Sequence, residues 1–474
     1  MDFHADFTMT VDGAAVAGAG TLEVVNPATG ETFARAPDAS QEQLDQAVTA
    51  ARDAFDGWRR TPLATRQALL RKAGDTLLAH VEDLAVLFTR EQGRPVDAAR
   101  NEIRLAAAHY HAHAGMEPPV QITEDSEVRR TEVHYEPLGV VCAIAPWNFP
   151  MMLSTWKIAP ALLAGNTLVL KPSPFTPLCT LKVGELLRDV FPPGVLNVIT
   201  GGDDLGPWMT AHPGFDKVSF TGSTETGKKV MASCAQDLKR VTLELGGNDA
   251  AIVLPDVDVP AIAQQVFFGA FFNTAQICVA TKRLYVHDDV YDELRDHLHG
   301  IARQIKVGDG SEQGTVLGPI QNARQYERVV DLLEDARASG LTLLTGAEVP
   351  ENGYFVPITL VDDPPPDSRV VTEEAFGPIL PMLRFDDEDT MIAQVNDTEY
   401  GLAGSVWSED VDRAVRIAHR METGTVWINE NLYLPPSTPF GGHKKSGIGV
   451  ENGIDGLLGF MVPKAIHIPK KSSN

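Results

Sequence analysis

Short apolar runs, each closed by glycine or proline and followed by a helical stretch, recur along this chain. Residues 140–145 (Val-Val-Cys-Ala-Ile-Ala) run into Pro146, and 167–170 (Thr-Leu-Val-Leu) into a proline-rich turn and a helix over 179–190. Residues 196–199 end at Gly201-Gly202, and 217–220 precede Gly222. Strands with no polar face must be covered on both sides, as in a parallel sheet wrapped by crossover helices. The plan restarts at 250–254 (Ala-Ala-Ile-Val-Leu) and continues through 283–287, 404–407 and 425–428. Two α/β domains are expected, with the Gly246-Gly247 turn as their boundary. A chain of 474 residues is too long for one typical core.

Other segments follow different patterns. Residues 22–36 read as a hairpin around a Pro-Ala-Thr-Gly turn, and 40–113 as helix with Ser40 as N-cap and Pro62 as a break. Residues 128–137 alternate like a strand with one polar face. The 459–468 segment reads as a strand returning to the rest of the molecule or to a partner.

The net charge is −24, from 64 acidic and 40 basic residues. Such a field repels phosphate backbones and anionic lipid, so no nucleic-acid or membrane partner is expected. A dinucleotide would have to be held by local dipoles and a few placed cations. No apolar run approaches the roughly 20 residues that span a bilayer. Cys142, Cys179, Cys234 and Cys278 form no CxxC pair and no disulfide framework. The first Lys or Arg is Arg35, so no targeting leader is expected and the cytoplasm is the expected location.

Two segments carry the chemistry. Cys278 lies in Phe271-Phe272-Asn273-Thr274-Ala275-Gln276-Ile277-Cys278-Val279-Ala280-Thr281-Lys282-Arg283, and Glu244 in Leu243-Glu244-Leu245-Gly246-Gly247-Asn248. A lone cysteine is more often a buried structural thiol, and a lone glutamate on a strand more often a solvated face. Here polar Asn273 and Gln276 and small Ala275 and Ala280 surround the thiol, while Gly246-Gly247 admits a close neighbour beside the carboxylate. Thiol and carboxylate from separate segments suit covalent catalysis, in which one attacks a carbonyl and the other later activates water.

These segments resemble the F-x-N-x-G-Q-x-C-x-A-x-x-R and L-E-L-G-G signatures of the NAD(P)-dependent aldehyde dehydrogenase superfamily, in its hydrolytic branch. The resemblance runs through the whole chain in family order, with one departure in the cysteine signature: Ala275 stands at its glycine, where a methyl group restricts φ > 0. It implies Cys278 as nucleophile and Glu244 as the base that activates water. Asn148, in Pro146-Trp147-Asn148-Phe149-Pro150, is by itself a turn asparagine; the match implies an amide donor to the oxyanion.

The resemblance also implies a cofactor site. Trp147, Lys171 and Ser173 belong to it, the last two in Lys171-Pro172-Ser173-Pro174, where Pro174 replaces a glutamate that would grip the ribose and repel a 2′-phosphate. NAD is the expected cofactor, and this departure leaves NADP open. Gly222 and Ser223, in Gly222-Ser223-Thr224-Glu225-Thr226-Gly227-Lys228-Lys229, nearly match a P-loop but end on Lys229, losing the hydroxyl that would hold Mg²⁺. The family reading places them at the pyrophosphate on a helix N-terminus. Glu374 and Phe376, in Glu373-Glu374-Ala375-Phe376-Gly377-Pro378, are implied to hold the nicotinamide ribose and pack by the ring. Phe149, Met152, Leu153, Trp156, Ile277, Leu434 and Phe440 are implied to line a substrate tunnel, an apolar lining that favours neutral aliphatic or aromatic aldehydes. CoA-acylating and semialdehyde-specific activities are the alternatives.

The implied architecture is an aldehyde dehydrogenase-like α/β fold: a Rossmann-like cofactor domain and a catalytic domain, both doubly wound, plus a small β oligomerisation unit. The corresponding boundaries are 1–118 with 141–245, then 246–445, then 119–140 with 446–474, in a homodimer or homotetramer. His109, His111 and His113 invite a metal reading, but only His109 and His113 share a helix face and no third ligand accompanies them. No metal is expected, and the histidines read as surface or interface residues.

Overall fold

The computed structural model describes residues 2–470; Met1 and residues 471–474 of the sequence-based assignments lie outside it. An eight-stranded sheet runs in the order Ala14–Val16, Met9–Val11, Leu196–Val198, Thr167–Lys171, Val140–Ile144, Lys217–Thr221, Arg240–Glu244, Gly447–Ile448. Its five middle strands are parallel, and the flanking strands pair antiparallel. Val140–Ile144 and Thr167–Lys171 are buried at every residue, as strands covered on both faces must be.

In this sheet the chain winds outward from Val140–Ile144 to Leu196–Val198, then resumes on the other side with Lys217–Thr221 and Arg240–Glu244. The reversal lies between Val140–Ile144 and Lys217–Thr221. Open α/β sheets bind ligands in the crevice that opens at the carboxyl ends of such strands. Those ends lead into Pro146-Trp147-Asn148 and Gly222-Ser223.

A seven-stranded sheet follows: Thr342–Thr345, Thr359–Asp362, Ile379–Phe385, Thr281–His287, Asp249–Val253, Ala403–Trp407, Thr425–Ile428. All its pairs are parallel except the first. Residues 245–248 are the only link between Glu244, at the carboxyl end of a strand in the first sheet, and Asp249, which opens a strand of the second. The Cys278 segment precedes Thr281–His287, so it sits at the amino end of the second sheet. The carboxyl edge of one sheet therefore meets the amino edge of the other.

Ser40 caps the helix Gln41–Trp58 through a reciprocal capping box with Gln43, and Pro62 separates this helix from Leu63–Ala79. The hairpin Gly20–Asn26 with Glu31–Asp38 forms as the turn residues predict. Met461–Pro469 returns to its own chain and pairs antiparallel with Arg129–Pro137, which also pairs with Gln121–Asp125. Residues 446–460, grouped by sequence with these outer strands, lie instead on the first sheet. Gly447–Ile448 pairs with Leu243 and Glu244, the Leu245 N–H donates to the Ser446 carbonyl, and Gly453–Leu458 packs on the helix Pro150–Ala164.

The histidine reading also needs correction. His109 and His113 are buried, not at the surface, because Val96–His113 packs between the helices Leu63–Ala79 and Pro150–Ala164. His113 Nδ1 lies 2.8 Å from the His109 carbonyl, and only His111 reaches outward, to Asp75 at 3.0 Å. Burial depresses His109 to about 3, so it is neutral at physiological pH.

Candidate active site

Glu244 ends its strand with a carboxylate that is buried, and neither oxygen has a hydrogen-bond partner among the described residues. The reason lies next door. Lys157, fully buried, spends its ammonium on Glu451 (2.7 Å), Thr221 Oγ1 (2.8 Å) and Ser219 Oγ (3.2 Å). Three donors meet three acceptors, leaving none for Glu244. Desolvation pushes Glu244 well above the ordinary carboxylate range, Glu451 pushes the same way, and Lys157 only partly opposes them.

The Cys278 turn is held by side chains. Asn273, Thr274 and Ala275 take φ of 53°, 57° and 60°, all left-handed. Ala275 thus occupies the region where the expected glycine would be unstrained. Each such residue costs roughly 1–3 kcal/mol. Asn273 Nδ2 donates to the Gln276 carbonyl at 3.2 Å, Thr274 Oγ1 to the Gly318 carbonyl at 2.8 Å, and Gln276 Nε2 to the Asn273 carbonyl at 3.0 Å. The Gln321 N–H donates to Gln276 Oε1 at 2.8 Å. At about 0.5–1.5 kcal/mol each, these bonds offset a backbone cost of the same order. Gln276 and Asn273 are therefore braces of the turn.

Cys278 is partly exposed, while the other three cysteines are buried. Burial of its sulfur pushes the thiol up to about 12; Lys282 opposes this, and Asp249, Glu244 and Glu374 add to it. The turn that follows Glu244 packs on the Cys278 backbone, where a Cβ at Gly247 would lie 2.9 Å from the Cys278 carbonyl, so the two segments adjoin.

Asn148 Nδ2 donates to the Gln276 carbonyl at 3.0 Å, so the amide faces the Cys278 turn, and its second N–H has no acceptor among the described residues. Its own carbonyl accepts from Asn273 Nδ2 at 3.3 Å and from Arg94. Arg94 is paired with Glu102, both buried, and its guanidinium lies 4.2 Å from the Phe149 ring centroid. Glu102 Oε1 also accepts from the Met151 and Met152 N–H groups at 3.0 and 3.1 Å, capping the helix Pro150–Ala164 that otherwise has no side-chain cap. This pair fixes the stretch from Asn148 to Met152.

Phe149, Met152, Leu153, Trp156, Ile277, Leu434 and Phe440 all belong to one apolar cluster, and Cys278 packs against it. Trp156 meets Phe440 edge-on at 5.4 Å and donates its indole N–H to His109 Nε2 at 3.3 Å. His109 thus stands behind the apolar wall.

The residues assigned to a cofactor flank the same junction. Trp147 and Phe376 pack edge to face at 5.4 Å. Glu374 Oε1 accepts from the Gly247 N–H at 3.0 Å. Gly222 N–H donates to the Glu244 carbonyl at 3.0 Å, and Ser223 caps the helix Thr224–Cys234. Ser173 Oγ accepts from the Phe175 N–H at 3.3 Å. Lys171 is buried, lowered to about 8 by desolvation, and has one acceptor among the described residues, the Pro172 carbonyl at 3.4 Å. A buried ammonium with this one acceptor, at the carboxyl end of the strand next to Val140–Ile144, fits a dinucleotide.

Gly247 is packed against the Cys278 segment. A Cβ there would lie 2.9 Å from the Cys278 carbonyl and 2.8 Å from Asp249 Oδ1. Gly247→Ala should displace the Cys278 turn and lower kcat/KM by about 10²-fold, measured by steady-state kinetics, with Kd for NAD changing less.

Lys157, Glu451, Arg94, Glu102, Asp249 and Lys282 were not read from sequence. Among the described residues no group of three His, Cys, Asp or Glu side chains could hold a metal ion, and no helix is long and apolar enough to cross a membrane.

Residues 15–466 match the aldehyde dehydrogenase family. The aldehyde dehydrogenase LUC3 of a Fusarium species is 41% identical over 449 residues, covering 94% of this chain and 95% of that one. The NAD⁺ complex of an aldehyde dehydrogenase from Bacillus cereus superposes with a TM-score of 0.96 at 36% identity, covering 99% of this chain and 98% of that one. Betaine aldehyde dehydrogenase from Staphylococcus aureus in complex with NAD⁺ superposes at 0.93 and 33% identity, covering 98% and 95%.

Proposed function

The chain belongs to the aldehyde dehydrogenase family, and we propose that it oxidises a neutral aldehyde to a carboxylic acid through a covalent intermediate on Cys278 that Glu244 resolves by activating water. The observation that carries this reading is the packing of the Gly246-Gly247 turn, which follows Glu244, against the Cys278 carbonyl, with Cys278 on the apolar cluster and Glu374 bonded to the Gly247 N–H.

The Cys278 thiol gives its proton to solvent and the sulfur adds to the aldehyde carbon, the C=O π pair moving onto oxygen to give the oxyanion of a thiohemiacetal. The uncommitted N–H of Asn148 and the backbone N–H of Cys278 stabilise the oxyanion; one such donor is worth about 10²–10³ in rate. NAD, when bound, supplies the acceptor for the hydride leaving that carbon. Lys171, Ser173, Gly222 and Ser223 would hold its adenosine and phosphate end, and Glu374, Phe376 and Trp147 its nicotinamide end. The remaining thioester is attacked by a water whose proton passes to Glu244, and the acid departs as Cys278 regains its thiol.

Phe149, Met152, Leu153, Trp156, Ile277, Leu434 and Phe440 form the substrate tunnel. Their apolar character supports neutral aliphatic or aromatic aldehydes over carboxylate-bearing semialdehydes. The exposed Val120, Ile122, Val128, Ile466 and Ile468 on or beside the outer three-stranded sheet support association of copies into a homodimer or homotetramer. Four free cysteines support a reducing, cytoplasmic setting.

NADH formation over a panel of neutral and carboxylate-bearing aldehydes, with and without CoA, and with NAD and NADP side by side, tests the proposal. The expected result is turnover of neutral aldehydes with NAD in water alone. A rate that needs CoA would instead assign acyl transfer, and preference for carboxylate-bearing aldehydes would overturn the substrate class.

A further inference from the structure

Lys282 sits four residues after the nucleophile and is 5% exposed. Its ammonium donates to the Cys278 carbonyl at 2.6 Å, the Ile277 carbonyl at 3.0 Å and the Ala280 carbonyl at 3.4 Å. Glu374 Oε1 lies 3.6 Å away and the centroid of the Phe376 ring 6.0 Å away. The three hydrogens thus gather the carbonyls of one tight turn, while the charge faces the segment that borders the cofactor side of the site. Nothing in the reaction scheme above uses this residue.

Two features argue that more than loop bracing is involved. A buried ammonium carries a heavy desolvation cost, and a neutral donor such as glutamine could bond the same carbonyls without it. The charge also has an evident counterpart. The groups acting on the Cys278 sulfur are the carboxylates of Asp249, Glu244 and Glu374, all of which disfavour an anion there, and Lys282, which favours it. A thiolate formed in that company needs a cation close by.

We propose that Lys282 is a positioning residue that clamps the nucleophile turn, ties it to the Glu374–Phe376 segment, and supplies the positive charge that favours the sulfur of Cys278 as an anion. It acts through Cys278. The inference rests on the reading of Cys278 as nucleophile.

The test is the rate of alkylation of the full-length protein by iodoacetamide between pH 7 and 9, with Cys278→Ala as the blank for the three other thiols. Lys282→Gln keeps donors and removes the charge. Its log rate is expected to fall by about one unit at every pH, a tenfold loss equal to one pKa unit, with kcat/KM falling in parallel. Lys282→Arg, which keeps the charge, is expected to stay within about threefold of the unmodified enzyme. A Lys282→Gln rate that superimposes on the unmodified enzyme, whatever its Tm, overturns the proposal and leaves a loop brace. Should Lys282→Gln not fold, the arginine variant decides alone, because a tenfold loss with charge and Tm retained is equally fatal. Turnover surviving in Cys278→Ala would instead sink the nucleophile assignment, a failure separable from that of Lys282.

Discussion

Cys278→Ala is expected to lower NADH formation from any aldehyde by at least about 10⁴-fold, while Kd for NAD changes by less than about threefold. The size of the first effect follows from what is removed. Without sulfur no covalent adduct forms, and the oxyanion donors and apolar wall have nothing to act on. The second effect is small because the residues assigned to the cofactor are held by contacts independent of the thiol. Glu374 is fixed by the Gly247 N–H, Ser223 by its helix, and Trp147 against Phe376. Steady-state NADH absorbance and a calorimetric NAD titration measure the two quantities. Turnover within tenfold of the parent would remove Cys278 from the mechanism, and a lost cofactor site would show that the turn is structural.

Glu244→Gln is expected to separate the two halves of the cycle. Acylation and hydride loss do not require Glu244 as base, so a rapid-mixing trace should show a burst of about one NADH per site. Deacylation then stalls, with the steady-state rate down about 10²–10⁴-fold, the range for general-base catalysis. The sign of the pH dependence follows from burial. Glu244 works as a base only when ionised, and desolvation holds its pKa well above the ordinary carboxylate range. The base is therefore protonated and idle in acid, and the steady-state rate of the parent enzyme should climb as pH rises through that raised value. The variant should lack this limb. A parent profile flat from pH 5 upward would contradict the assigned environment.

What could be read in advance follows the range of the interactions. Val140–Ile144, Thr167–Lys171 and Asp249–Val253 announce themselves because every residue is buried, so their side chains are almost all apolar or small. Ser40 and Pro62 act within a turn of helix, and their effects are visible locally. Ile379–Phe385 is hard to read from sequence because Pro381 interrupts the run, and a proline weighs against an interior strand. Lys157 could not be found because its carboxylate partner, Glu451, is 294 residues away. Arg94 and Glu102 look like ordinary helix-surface charges until the fold brings Asn148 and the amino end of Pro150–Ala164 onto them. Ala275 shows the reverse case. Its mismatch with the expected glycine was legible, and the structure supplies the consequence, a left-handed residue held by neighbouring side chains.

The central claim is that one sulfur and one carboxylate act in turn on the same carbon. Intact-mass and peptide mass spectrometry of Glu244→Gln, quenched after the burst with a good aldehyde and NAD, tests it most directly. The account predicts one acyl group per chain, located on the peptide carrying Cys278 and absent when the parent enzyme is quenched after its aldehyde is exhausted. A burst with no adduct, or an adduct on Cys142, Cys179 or Cys234, would contradict it.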